Sequence, residues 1–179
     1  MEINTPVIPE TITVHLGSPS EKAKNITVPF AEYIKNVASN EIYPTWPTDA
    51  IKANVLAQIS FALNRVYNEW YPSQGYDFDI TSNPKYDQTF KEHSQFYDSI
   101  VTIVDDIFNN YVARTDSVQP LYAQYCDGKT VTCDGLSQWG SVRLAKEGLN
   151  PLEILSYYYG NNIKLIYNAP ISDNIVSYP

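Results

Sequence analysis

The sequence predicts an α+β fold: a predominantly helical single domain with a small antiparallel sheet. Three observations predict it. Apolar residues recur at steps of three and four over long stretches, the period of a buried helix face. Short runs rich in β-branched residues, at 11–16 and 163–167, supply strands near both ends. The 179 residues are 44% hydrophobic and 18% charged, enough apolar material for one domain to bury a core alone.

In chain order, Thr-Ile-Thr-Val-His-Leu at 11–16 reads as the first strand, and residues 17–24 turn. Pro29 suits a first helical turn, and Phe30, Tyr33, Ile34, Val37 and Glu41 then share one face. A carboxylate therefore stands at the end of an apolar stripe. After a Pro-Thr-Trp-Pro connection, Thr48 and Asp49 start a long, largely buried helix carrying Ile51, Val55, Ile59, Ala62, Val66 and Trp70. Residues 72–84 read as a polar loop, and Ile100, Val101, Val104, Ile107, Phe108 and Tyr111 mark a third helix. A short strand is expected at 121–125. The glycines, aspartates and cysteines at 126–135 belong to a tight functional loop or a metal clip. Helix returns at 137–147 and stops at Gly148, and Asn150 with Pro151 starts another that ends at Tyr159 and Gly160. Residues 1–167 form the expected domain, and 168–179, with two prolines and no periodicity, read as a tail or the start of a linker.

Charge and hydropathy narrow the function. Twelve Lys and Arg against twenty Asp and Glu give a net charge of −8, so nucleic acid is not an expected partner. No run of eighteen apolar residues occurs, and no membrane insertion is expected. The first thirty residues lack the basic start and apolar stretch of a signal peptide. Cys126 and Cys133 leave three states open: one bridge, a shared metal, or two free thiols. Fifteen tyrosines suit the edges of a core and equally surfaces that hold sugar rings.

Glu41 follows an apolar helix and lies beside Tyr43 and Trp46, surroundings that raise a carboxyl pKa by desolvation and suit a general acid near neutral pH. Glu41-Ile-Tyr-Pro-Thr-Trp-Pro-Thr-Asp-Ala-Ile-Lys-Ala-Asn, then Gly135-Leu-Ser-Gln-Trp-Gly, then Glu153-Ile-Leu-Ser-Tyr-Tyr-Tyr-Gly stand in the order of three family motifs. With them the chain resembles the stage II sporulation protein D family, SpoIID/LytB, over most of residues 11–166. The resemblance implies a SpoIID-like fold and a lytic transglycosylase that cleaves the MurNAc-GlcNAc bond of peptidoglycan glycan strands, leaving 1,6-anhydroMurNAc ends. The family's catalytic glutamate falls on Glu41, acid first and base afterwards. Ser137 and Gln138 fall on the family's Ser-Gln pair, as catalytic or orienting groups, with helix capping the other role open to Ser137. Tyr43, Trp46 and Trp139 are candidate faces for sugar rings, and Asp134 a candidate auxiliary group beside them.

Where the family has a histidine before its Ser-Gln motif, this chain has Thr132, and a buried arginine and tyrosine of the family are Ile59 and Phe61 here. Some relatives hold zinc near this site. No cofactor is required by the mechanism, but zinc is the candidate metal at Cys126 and Cys133, with His15, His93, Asp127 and Asp134 as further donors. The departures favour an alternative, a catalytically inactive SpoIID-like domain serving as a glycan-binding or structural module of the spore envelope. Either reading implies a location at the spore envelope or cell surface of a spore-forming bacterium, with glycan strands and spore or cell-wall proteins as partners.

Overall fold

The structure, a computed structural model, describes residues 6–172. The β-branched run forms β1 (Thr11–His15), which buries Ile12 and Val14 and pairs antiparallel with β2 (Asn25–Pro29), Ile12 opposite Val28 and Val14 opposite Ile26. Pro29 closes β2 in an extended conformation and stands at the N-cap of α1 (Phe30–Glu41). This helix buries Phe30, Tyr33, Ile34 and Val37, the stripe that the sequence period demands. A loop at 42–47 leads into α2 (Thr48–Tyr67), and a 3-10 turn at Pro72–Gln74 precedes β3 (Ile80–Thr81). Then come α3 (Asp98–Ile107), β4 (Tyr111–Arg114), β5 (Tyr125–Cys126), β6 (Leu136–Ser137), α4 (Gln138–Lys146), α5 (Pro151–Tyr159) and β7 (Ile163–Ile166).

Helix α2 is the axis of the domain. It is packed by the other four helices and by β3 and β4, so it is apolar on nearly every side. Ala50, Ala53, Ala57 and Ala62 have no exposed surface and let those neighbours approach closely. The polar groups buried on α2 tie it to its surroundings. Asn54 donates to the Ser141 hydroxyl on α4 at 2.8 Å, and Ser60 accepts the Val112 N–H of β4 at 2.7 Å. Each bond satisfies a group that would otherwise be buried unpaired.

The architecture is the α+β one expected, with the strands divided among three small sheets. β1 lies between β2 and β3, antiparallel to the first and parallel to the second; β4 and β7 pair antiparallel, and β5 and β6 parallel. Some elements differ from expectation. β2 was hidden because Pro29 reads as a helix start, and β3 because two residues inside a polar loop carry no period. Tyr111 does not extend α3: that helix ends at Ile107 and Tyr111 opens β4, fully buried. Trp70 leaves α2 because Glu69 takes a left-handed φ of 49°, and its exposed ring lies over the Arg65 guanidinium. Of the strand expected at 121–125 only Tyr125 is extended in a ladder. Past 167 the chain is still attached: Ala169 N–H donates to the Asn109 carbonyl, Ile8 N–H donates to the Pro170 carbonyl, and Ser172 N–H donates to the Ile8 carbonyl, around an Ile8–Ile171 bridge. Residues 173–179 lie outside the described residues.

One buried carboxylate gathers the largest share of the bonds that fasten the segment 80–90 to its surroundings. Asp87 accepts from Arg65 Nε at 2.8 Å, from the Tyr71 hydroxyl at 2.6 Å, and from the Thr81 N–H and hydroxyl at 3.0 and 2.6 Å. Rings of Phe61, Trp70, Tyr71 and Tyr122 surround the guanidinium. Asp87→Ala would leave Arg65 buried without its counter-charge, with only the Tyr86 carbonyl to accept from it, and is expected to lower unfolding free energy by about 3–5 kcal/mol, read as a drop in the urea midpoint.

Candidate active site

Glu41 is the last residue of α1, and Ile42 turns extended immediately after it. Glu41 continues the face of Tyr33, Ile34 and Val37, which point into the core, so the residue is half-buried and meets water only through a cleft. Three distant parts of the chain solvate it instead. Oε1 accepts the Tyr125 hydroxyl at 2.6 Å and Gln58 Nε2 at 3.0 Å, and Oε2 accepts the Thr89 N–H at 3.1 Å. Burial outweighs these donors and raises the pKa from 4.5 to about 7. The carbonyl end of the helix acts in the same direction.

A second layer holds the donors. Gln88 lies fully buried behind them, donating to the Gln58 backbone carbonyl at 2.9 Å and accepting the Tyr33 hydroxyl at 2.8 Å. The Tyr125 hydroxyl, desolvated and facing Glu41, has its pKa pushed well above the usual phenol range and stays a donor.

The carboxyl opens on a cleft of about 690 Å³ lined by Asn40, Glu41, Thr89, Tyr125, Asp127 and Gln138, among others. The far wall is the loop between β5 and β6. Cys126 and Cys133, both lining the cleft, are joined in a disulfide that closes this loop. Asp127 organises its tip by accepting from the Thr130 hydroxyl and from the N–H groups of Lys129, Thr130 and Val131, which hold it well below the usual carboxylate range. Gly128, at a left-handed φ of 74°, is needed there twice, since a Cβ would also run into the Ser137 hydroxyl.

The expected site residues divide into three groups. Glu41, Gln138 and the two cysteines line the one cleft. Tyr43, Trp46 and Trp139 form an aromatic cluster, with ring centroids 4.9–5.7 Å apart, beside a hollow of about 370 Å³. Lys129 Nζ stands 4.7 Å from the Trp139 ring. Ser137 and Asp134 line neither space. Ser137 is the N-cap of α4, its hydroxyl accepting the Gly140 N–H at 2.9 Å, and Asp134 is exposed. A zinc shell at the cysteines would need both sulfurs as thiolates and further donors. His15 is engaged by Asn25 and Glu21 and His93 by Glu92, and among the described residues no group of three or more His, Cys, Asp or Glu could hold a metal ion.

Gln58, Thr89 and Tyr125 were not singled out from sequence. A usable signal exists only for Gln58: Asn54 and Gln58 are polar residues four apart within the largely apolar middle of a buried helix.

Two results follow from this geometry. Tyr125→Phe removes a donor that favours the carboxylate, so the Glu41 pKa should rise above 7, read from the side-chain carboxyl shift in a ¹³C NMR titration. Because the folded pKa exceeds the unfolded one, the native state holds more protons between pH 4.5 and 7. Stability should therefore fall as pH rises through that window, and Glu41→Gln should relieve the loss. At pH 8 the variant gains at most about 3 kcal/mol over native relative to their difference at pH 4, by chemical denaturation at both pH values.

A model of the family described as stage II sporulation protein, SpoIID, matches residues 20–122, more than half of the chain. The match contains Glu41, Tyr43, Trp46, Gln58 and Thr89, and ends before the wall that carries Tyr125 and Gln138. No curated protein matches. Among the described residues no helix is long and apolar enough to cross a membrane.

Proposed function

The chain belongs to the SpoIID family of sporulation proteins, and from that premise we propose that it is a lytic transglycosylase of peptidoglycan glycan strands with Glu41 as its single acid and base. The observation that carries this reading is the state of the carboxylates in the cleft. Three are present: Glu41, Asp87 and Asp127. Asp87 is consumed by Arg65, Tyr71 and Thr81, and Asp127 by its own loop. Glu41 is the one met by neither an ion pair nor its own turn, and desolvation raises its pKa to about 7. Ordinary glycoside hydrolysis needs a pair of working carboxyls and a placed water. A reaction in which the sugar's own hydroxyl is the nucleophile needs one.

The hydrogen bonds distinguish the two oxygens of that one. Oε1 accepts from Tyr125 and Gln58, while Oε2 accepts the Thr89 N–H and Thr89 also reaches the carboxyl through its hydroxyl, a group able to accept as well as donate, so the acid proton belongs on Oε2. In the first half, Oε2–H protonates the oxygen that links MurNAc C1 to GlcNAc. The C1–O bond breaks, its electron pair leaves with that oxygen, and an oxocarbenium-like C1 remains. In the second half, the C6 hydroxyl of the same MurNAc attacks C1 and surrenders its proton to Oε2. A 1,6-anhydro ring forms, Glu41 ends protonated as it began, and no water is consumed. The donors on Oε1 stabilise the carboxylate between the halves, and desolvation keeps its basicity high enough to complete the second.

The aromatic cluster of Tyr43, Trp46 and Trp139 supplies flat faces for neighbouring rings. On this reading the protein works at the spore envelope or cell surface, on glycan strands, and requires no cofactor.

Peptide-stripped glycan strands incubated with the native protein should acquire 1,6-anhydroMurNAc ends by mass spectrometry, and Glu41→Gln should reduce them by about 10²-fold or more. The native rate should decline as pH rises through about 7, where the acid form is lost. Strands that bind but stay uncut would overturn the reading in favour of a glycan-binding module of the spore envelope.

A further inference from the structure

The loop between β5 and β6 forms the far wall of the cleft, and its parts are held in different ways. The outgoing limb is tied to the domain: Tyr125 and Cys126 pair with Leu136 and Ser137, the Asp127 carbonyl accepts the Trp139 N–H at 3.0 Å, and the Tyr125 hydroxyl reaches Glu41. The tip holds itself, through the Asp127 carboxylate and the Gly128 N–H, which donates to the Val131 carbonyl at 3.0 Å. The returning limb has neither support. Among the described residues no hydrogen bond reaches Thr132, Cys133 or Asp134, and all three are exposed. What ties this limb to the cleft is the Cys126–Cys133 disulfide.

Seven positions separate the cysteines, so the bond takes little freedom from the unfolded chain and is a weak staple for the domain as a whole. Its position is what distinguishes it. Both cysteines and Val131 line the same cleft as Glu41 and Thr89, and Cys133 is open to solvent, within reach of an external thiol. We propose that the disulfide is a reducible latch on this cleft: oxidised, it holds the limb 132–134 as a wall beside Glu41, and reduced, it lets that wall swing away. A thiolate of an external dithiol attacks Cys133 Sγ, the S–S bond breaks, and its electron pair leaves on Cys126 Sγ, which takes a proton from water. The reagent's second thiolate then attacks its own first sulfur and displaces Cys133 as a thiolate, which is protonated in turn. Two electrons pass to the protein, and the dithiol leaves as its cyclic disulfide. Asp127 still organises the tip and β5 still pairs with β6, so the change is confined to the open limb. Water then reaches the carboxyl from that side, and a bound strand loses one wall of its site. The latch regulates the cleft assigned above to glycan cleavage, and only its effect on turnover rests on that reading.

The test follows amide hydrogen exchange by NMR in the oxidised and the dithiothreitol-reduced protein, with the two thiols of the reduced form counted by alkylation and mass. The Thr89 N–H, which ends on Glu41 inside the cleft, should exchange about tenfold or more faster after reduction. Amides of α2 should be unchanged. A double variant, Cys126→Ser with Cys133→Ser, should match the reduced protein and ignore dithiothreitol, and re-oxidation of the native chain by oxidised glutathione should restore slow exchange. Formation of 1,6-anhydroMurNAc ends should drop about tenfold or more in the reduced form. A disulfide that dithiothreitol leaves intact overturns the latch. So does a reduced protein in which Thr89 exchanges as before, and so does one in which α2 loses protection as well, which makes the bond a staple of the whole fold. Faster Thr89 exchange with no anhydro ends in either state upholds the latch and sinks the glycan reading.

Discussion

Burying a carboxyl obliges a protein to replace the water it removes, and much of this structure answers that demand. Glu41 lies at the end of a helix whose face is otherwise core, so its oxygens must be met from other elements. α2 sends Gln58, the segment after β3 sends the Thr89 N–H, and β5 sends Tyr125. Each donor is held in turn. Gln88 braces the Gln58 backbone, Asp87 fastens the segment of Thr89 to α2, and the pairing of β5 with β6 fixes the strand of Tyr125. The donors are too few to cancel the desolvation, and that shortfall is what makes the group an acid near neutral pH.

The helical half of this arrangement was readable because it is periodic. The stripe from Phe30 to Glu41, the apolar length of α2 and the Asn150-Pro151 start of α5, with its reciprocal Asn150 and Glu153 bonds, each leave a local signature. The half that solvates Glu41 leaves almost none. A backbone N–H such as that of Thr89 is invisible in a sequence, and strands of two residues are too short to alternate. Tyr125 was one of fifteen tyrosines, with nothing local to single it out. Ser137 shows the converse, since a motif position beside a helix start is met in the structure by capping. Its hydroxyl is spent on the Gly140 N–H.

The family match and the geometry are complementary in extent. The match covers α1, α2 and the chain to residue 122, which carries the acid and two of its three donors. The opposite wall lies beyond it, and there the protein relies on constraints that a short loop can supply. A disulfide spans it, a carboxylate gathers three successive N–H groups at its tip, and two glycines stand where a side chain would strike Ser137 or the Gln124 carbonyl.

The groups around Glu41 are separated by 17, 48 and 84 positions along the chain. Bringing them together means closing successively longer loops, steps that belong late in folding because their entropy must be met before the contacts repay it. Until Tyr125 and its strand have docked, Glu41 is an ordinary helix-end glutamate, ionised at neutral pH and unable to give up a proton it does not hold. The acidity is thus a property of the finished molecule alone. If the proposed chemistry is what Glu41 performs, a nascent or partly unfolded chain is latent by construction.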